Sequence, residues 1–259
     1  MLDKTRVVFD SRQDGTADLC VLIPVRNDRK LFALLDGLKT QVTDRVHVYV
    51  LNDLQPDPFV RELPSPIRGV VFHYRELCSI AEKINTLLQA ARGEWVVIIE
   101  SDTIPDARWI ADLLRMIPGL DPNAVHVGGE IYEKPLNLNN VLFRKSLPVP
   151  PHEEDTFWAN DTGWFLACDA RGIPLIHHDR EALVYHDTVS KQAQFNRLVQ
   201  YAYDFAYLAA KYGRFDFFKR KVLAEGYFLA RALIMLPLLL LCYAGFKLAR
   251  LFRRGARPS

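Results

Sequence analysis

The chain is 259 residues long, 49% hydrophobic and 25% charged, with a formal net charge of +2. These proportions exclude a disordered chain and suit one α/β domain plus an appendage. The near-neutral balance carries no long-range electrostatic message and no nucleic-acid partner is expected, although the last thirteen residues hold Lys247, Arg250, Arg253, Arg254 and Arg257 and no acid.

At the N-terminus, MLDKTRVVFDSRQDG places charges where a secretory signal would need its apolar core, so residues 1–17 read as an N-terminal extension. From Asp18 onward apolar runs alternate with amphipathic ones. LCVLIPV is a predicted strand, DRKLFALLDGLKTQ a helix, RVHVYVLND and GVVFHYR two more strands, SIAEKINTLLQAARG a helix, and EWVVIIE a strand. Continuous apolar strands between helices predict an α/β fold, a mostly parallel sheet covered on both faces. Asn27 or Asp28 is placed to cap the first helix, and Ser79 with Glu82 spells a capping box on the second. A helix after Asp106, itself a plausible N-cap, through about Ile117 and a strand in AVHVGGEIY follow. Residues 134–155, rich in Pro and Asn, read as a long loop. The four scattered cysteines, Cys20, Cys78, Cys168 and Cys242, show no CxxC or zinc-type spacing, so reduced thiols are expected.

In an open α/β sheet, ligands bind outside the carboxyl ends of the strands. The polar residues of this chain gather at those ends: Pro24, Arg26 and Asn27 after the first strand, Asn52 and Asp53 after the second, and Glu100, Ser101 and Asp102 after the fourth. Two carboxylates spaced by one residue can reach a hard divalent cation, which completes its shell with substrate phosphates and neutralises charge on a leaving diphosphate. The plain alternative is a turn, which Ser and Asp also favour. No GxGxxG follows the first strand, which excludes a dinucleotide-binding dehydrogenase, and VRNDRK is not the Gly-rich basic loop of a nucleotidyltransferase.

Residues 18–186 resemble the family 2 glycosyltransferases of the GT-A fold. VLIPVRN is similar to that family's opening strand, LND to its second-strand acid, and INTLLQAARGEWVVIIESDTIPDARWI, with Asn85, Ala91, Gly93 and Glu94, to the segment leading into its metal motif. The resemblance implies a domain at 18–190 that moves one sugar, with inversion, from a nucleoside-diphosphate sugar to an acceptor hydroxyl. Mn2+ or Mg2+ would be the cofactor. Asp53 would accept from the imide N–H of a uracil or thymine base, since an ionised Asp is acceptor-only, although guanine also offers N–H donors. Pro24, Arg26, Asn27, Asn85 and Ser101 would line the nucleotide. Lys83 could reach a phosphate, the plain alternative being a solvated helix face. Asp102 would be the principal metal ligand, with Glu100 standing in the usual place of an Asp and His186, at the end of LVYH, a candidate third ligand. In FWANDTGWF the family's acidic pair becomes Asn160-Asp161, and Asp161 matches the general base that takes the acceptor's proton. Its plain alternative is a helix cap, compatible with the first role because a helix start favours an anion. Gln194 and Arg197 partly match a Gln-x-x-Arg-Trp motif of processive synthases, but Leu198 replaces the Trp, so single transfer is expected. The departures at Glu100 and Asn160 leave one rival, a catalytically silent GT-A-like domain that binds a nucleotide or a partner at the membrane. His177, His178 and Asp179 are read as strand or turn residues, not as a metal cluster.

Residues 191–259 change character. An aromatic-rich helical stretch precedes YFLARALIMLPLLLLCYAGF, an apolar run near bilayer-spanning length, interrupted by Arg231 and Pro237. A single crossing would export the basic tail against the positive-inside tendency. The expectation is therefore a monotopic protein on the cytoplasmic face of the membrane, with a helix kinked at Pro237 dipping into one leaflet and the Tyr and Phe of 192–218 at the interface. A single-pass arrangement is the alternative. A lipid-linked or envelope-glycan acceptor is expected.

Overall fold

The unbroken apolar runs become the centre of a sheet. A computed structural model describes residues 5–12, 15–25, 30–52, 61–74, 78–129, 140–153, 155–156, 160–178, 180–186, 194–216, 218 and 229–255. The chain forms two compact units: Met1–Glu154 with Ala167–Thr188, and Asp155–Leu166 with Val189–Ser259.

The first unit is built on an eight-stranded sheet in the order β1 (Thr5–Asp10), β4 (Gly69–Tyr74), β3 (Val46–Asn52), β2 (Ala17–Pro24), β5 (Gly93–Ile98), β8 (Val141–Arg144), β7 (Val125–Gly128) and β9 (Leu175–His178). β2 pairs in parallel with β3 and β5, β3 with β4, and β7 with β9. A separate two-stranded ribbon joins β6 (Thr103–Pro105) to β10 (Val184–His186). All seven residues of β3 are buried, which is why VHVYVLN shows no polar alternation. One face of the sheet packs Leu19, Val21 and Ile23 of β2 and Val46, Val48 and Val50 of β3 in a cluster with Leu31, Leu34, Leu35 and Leu38 of α1 (Lys30–Lys39). The i, i+3, i+4, i+7 spacing puts those four leucines on one stripe, and each stabilises the fold by about 1.5–3 kcal/mol.

α2 (Ile80–Ala90) begins with the expected capping box: Ser79 Oγ accepts from Glu82 N–H at 3.1 Å and Glu82 Oε2 from Ser79 N–H at 2.8 Å. The next helix starts differently from its sequence. α3 (Trp109–Met116) opens three residues after Asp106, whose carboxylate accepts from Arg108 N–H at 3.0 Å, and its first turn is capped from outside by Gln41 Oε1, which accepts from Ile110 N–H at 3.1 Å.

Two expectations for this unit change. The N-terminal extension is part of the sheet, because β1 pairs antiparallel with β4 as an edge strand. The segment read as a loop over 134–155 contains β8, which runs antiparallel between β5 and β7. Four residues between Asn and Lys are too few to show a period, yet the gap between β5 and β7 buries Val141, Leu142 and Phe143 almost completely.

The second unit holds α5 (Gln194–Tyr212) and α6 (Leu229–Gly255), while α4 (Asn160–Ala170) passes from this unit into the first. α5 and α6 pack on each other around Ala202, Phe205, Ala206, Ala209, Phe218 and Leu239. The aromatics expected at a lipid interface mostly serve this packing: Phe205 and Phe218 are buried, and Tyr203 and Tyr207 meet Phe246 edge-on. A helix's apolar side does not reveal in sequence whether its partner is lipid or protein. α6 continues as a helix through Pro237. Among the described residues no helix is long and apolar enough to cross a membrane. All four cysteines are free, and burial pushes the Cys20 thiol up to about 11 and that of Cys168 to about 12.

Candidate active site

The carboxyl edge of the sheet collects the polar residues the sequence singled out. β2 delivers Pro24, and the next residue, Val25, donates its N–H to Leu51 O at 3.0 Å. The Val25 carbonyl accepts from Lys83 Nζ at 2.6 Å. Lys83 is fully buried, so the solvated-face alternative does not hold. A buried ammonium requires polar partners. This one is used under the exit of β2 and so fixes the start of the segment that carries Arg26 and Asn27. Those two residues and Asp53 lie outside the described residues.

β3 ends at Asn52, which is 2% exposed, and neither Nδ2 nor Oδ1 of its carboxamide has a hydrogen-bond partner among the described residues. Such a group costs about 1–3 kcal/mol unless something satisfies it. It lies next to the position expected to read a base, and sequence reasoning gave it no role. Asn85, expected at the nucleotide, bonds the backbone of His152. Its Oδ1 accepts from His152 N–H at 2.8 Å and its Nδ2 donates to His152 O at 3.2 Å, so the side chain clasps the backbone after β8. Burial pushes the His152 imidazole down to about 3, leaving it neutral at ordinary pH.

After β5 the chain turns through Glu100, Ser101 and Asp102, closed by Thr103 N–H donating to Glu100 O at 3.2 Å. The turn reading of these residues is therefore correct as geometry, and it is what brings the two acids to the sheet edge. Ser101 is 7% exposed and sits inward, with half-buried Glu100 and Asp102 on either side. β6 then pairs with β10 so that His186 stands opposite Thr103, one residue beyond Asp102. The His186 side chain lies outside the described residues. Two carboxylates spaced by one residue suit a hard divalent cation such as Mn2+ or Mg2+. Among the described residues no three His, Cys, Asp or Glu side chains are grouped so as to hold a metal ion.

The ribbon is anchored by a residue the sequence reading passed over. Asn140 is fully buried with φ of 68°, the left-handed region that Asn tolerates best after Gly. Its Oδ1 accepts from the Trp109 indole N–H at 2.8 Å, its Nδ2 donates to the Ala182 carbonyl, and its backbone N–H donates to Ile98 O at 2.8 Å. Its side chain lies so close to Gly128 that a Cβ there would stand 2.0 Å from Nδ2. Asn140 thus joins the ends of β5 and β7, the start of α3 and the approach to β10. The only sequence signal was the pair Asn139-Asn140 before an apolar run. Asn140→Ala is expected to cost about 3 kcal/mol in chemical denaturation, from the stranded indole N–H and the left-handed backbone. Asn140→Asp should cost more, since it turns a carboxylate toward the Ala182 carbonyl. A cost under about 1 kcal/mol, within the range of an ordinary surface change, would show the hub to be dispensable.

Asp161 belongs to the second unit. It falls within the first turn of α4, which begins at Asn160, two positions further in than a cap, and its Oδ1 accepts from Thr162 N–H at 2.6 Å. It is half-buried. Gln194 and Arg197 lie in the first turn of α5, with side chains outside the described residues. His178, kept out of any metal role above, has its Nε2 3.1 Å from His126 Nδ1.

A mostly parallel sheet with an acid-tipped β5 and a short ribbon behind the tip is the architecture of the GT-A glycosyltransferases. The chain belongs to glycosyl transferase family 2, whose family model matches residues 20–174. No curated protein sequence matches it. Its fold is similar to that of the mannosyltransferase PcManGT from Pyrobaculum calidifontis, solved with GDP-Man and Mn2+ (TM-score 0.61, 18% identity, 78% of this chain and 65% of that one). It is also similar to S. aureus TarS 1–349 with UDP-GlcNAc (TM-score 0.60, 14% identity, 88% and 80%). A third likeness is glucosyl-3-phosphoglycerate synthase from Mycobacterium tuberculosis with Mn2+, UDP and phosphoglyceric acid (TM-score 0.56, 17% identity, 77% and 79%). The match spans only 42% of a longer TarS chain.

Proposed function

We propose that the protein transfers a single sugar, with inversion, from a UDP-linked donor to a hydroxyl of a lipid-linked or envelope-glycan acceptor at the cytoplasmic face of the membrane. The observation that carries the donor site is the buried carboxamide of Asn52, without a hydrogen-bond partner among the described residues and next in sequence to Asp53, at the same sheet edge as the Glu100-Ser101-Asp102 turn. An Asn offers one donor and one acceptor side by side, and a pyrimidine imide edge presents the complementary pair. A divalent metal held by Asp102, with Glu100 and His186, would supply charge neutralisation for the departing diphosphate.

The remaining work belongs to the chain. Lys83 and the Val25 carbonyl set the exit of β2 against which the nucleotide lies, Asn52 and Asp53 orient the base, and Asn140 holds the ribbon behind the metal ligands. Asp161 accepts the proton of the acceptor hydroxyl as that oxygen attacks the anomeric carbon. The bond to the diphosphate oxygen breaks on the opposite side. Support for this last role is the match of Asp161 to the family's base and its place in the first turn of a helix, where the positive end favours a carboxylate.

Thermal-shift measurement with UDP, GDP and TDP, each with and without Mn2+, tests the reading. UDP with Mn2+ is expected to raise the midpoint the most, because a ligand at a hundred times its Kd stabilises the folded state by about 2.7 kcal/mol. A larger shift with GDP would overturn the uridine assignment, and equal shifts with and without metal would overturn the metal.

A further inference from the structure

α6 has two unlike faces. Toward α5 it buries Leu239 and half-buries Cys242, Tyr243 and Phe246. At about 100° per residue, Pro237, Leu240, Leu241, Ala244 and Leu248 fall on the opposite side, in a stripe about 100° wide running for about three turns. All five are exposed, Leu241 at 71% and Leu248 at 56%. Val199 and Tyr203 of α5 are also exposed. A single exposed leucine needs no explanation, but a continuous apolar stripe on a helix already packed along its other side marks a surface with a partner.

The charges around the stripe identify that partner. No Asp or Glu follows Glu225, whereas α6 carries Arg231, Lys247, Arg250, Arg253 and Arg254. Lys247, beside the stripe, lies over the Tyr243 ring with Nζ 5.5 Å from its centre. A second copy laid stripe to stripe would set these cations against a facing helix with no acid to receive them. A bilayer containing anionic lipid offers both requirements at once, an apolar interior for the leucines and a negative headgroup layer for the basic residues. A transverse helix does not fit, because one side of α6 is covered by α5, which carries buried Asp204 and exposed Lys211.

We propose that the Pro237, Leu240, Leu241, Ala244 and Leu248 face of α6 is a docking surface for an anionic phospholipid bilayer, lying in the plane of one leaflet. This deepens the membrane location proposed above and does not depend on the sugar-transfer chemistry.

The test is flotation of the full chain with vesicles of phosphatidylcholine alone and of phosphatidylcholine with phosphatidylglycerol. Binding is expected to the second and to be weakened by salt. L240E/L241E should reduce it at least tenfold, while its melting temperature and its shift with UDP and Mn2+ stay at wild-type values. R253E/R254E should weaken binding and flatten its salt dependence. If L240E/L241E floats like the wild type, the surface assignment is overturned. It is also overturned if the wild type binds no vesicle and instead forms a dimer that L240E/L241E dissolves. Labelling of S259C only from the far side of sealed vesicles would overturn the in-plane arrangement. A protein that floats as expected but turns over no donor would leave this surface standing and remove the catalytic reading alone.

Discussion

Asp102→Ala is expected to lower sugar transfer by about three orders of magnitude and to abolish the part of the UDP thermal shift that needs Mn2+. Asp102 is the acid adjoining β6, so its backbone is fixed both by the turn from Glu100 and by the pairing of Thr103 with His186. A cation held there contributes several kcal/mol at the leaving oxygens, and each 1.4 kcal/mol is a factor of ten in rate. Glu100→Ala should cost less than Asp102→Ala, because the longer side chain has more freedom and is the weaker ligand. Glu100→Asp should retain activity. The measurement is initial rate against Mn2+ concentration, with circular dichroism to confirm that the half-buried site has not unfolded. If Asp102→Ala keeps the metal-dependent shift, the ligand assignment fails. If Glu100→Ala proves the more damaging, the metal is held chiefly by the residue at which this chain departs from its family.

Asp161→Asn should separate chemistry from binding. An amide retains an acceptor for the Thr162 N–H but cannot take a proton, so kcat should fall by about 10²–10⁴ while the donor KM and the UDP shift stay unchanged. Transfer within twofold of wild type would reduce Asp161 to a residue of the helix start. A wild-type protein that shifts with UDP and Mn2+ but transfers no sugar would instead support the silent-domain rival that Glu100 and Asn160 raise.

Much of the first unit was legible because burial on both faces leaves a direct mark on sequence. β2, β3 and β5 are continuous apolar runs, and the acids at their ends could be located by the rule for open sheets. The Ser79–Glu82 box was readable since both partners lie within one turn. β1 and β8 were not. β1 is an edge strand with mixed exposure, and β8 is four residues whose pairing depends on neighbours far along the chain. The same limit applies to the site. That Lys83 turns inward to the Val25 carbonyl, 58 residues away in sequence, follows from how α2 is laid on the sheet. The reach of Asn140 to Trp109 and Ala182 depends on a backbone conformation that one letter does not announce.

Because β8 runs against β5, the connection leaving β7 and the one entering β8 meet at the acid-bearing edge, where Gly128 N–H donates to Asn140 O at 2.9 Å. The two ends of the 130–139 segment are therefore welded to each other before the segment itself contributes anything. Exchanging that segment for a longer one would leave the weld and the sheet as they are, at about 0.6 kcal/mol of closure entropy for each doubling of length. A change of length between Gly128 and Asn140 therefore need not disturb the acid-bearing edge that this bond closes.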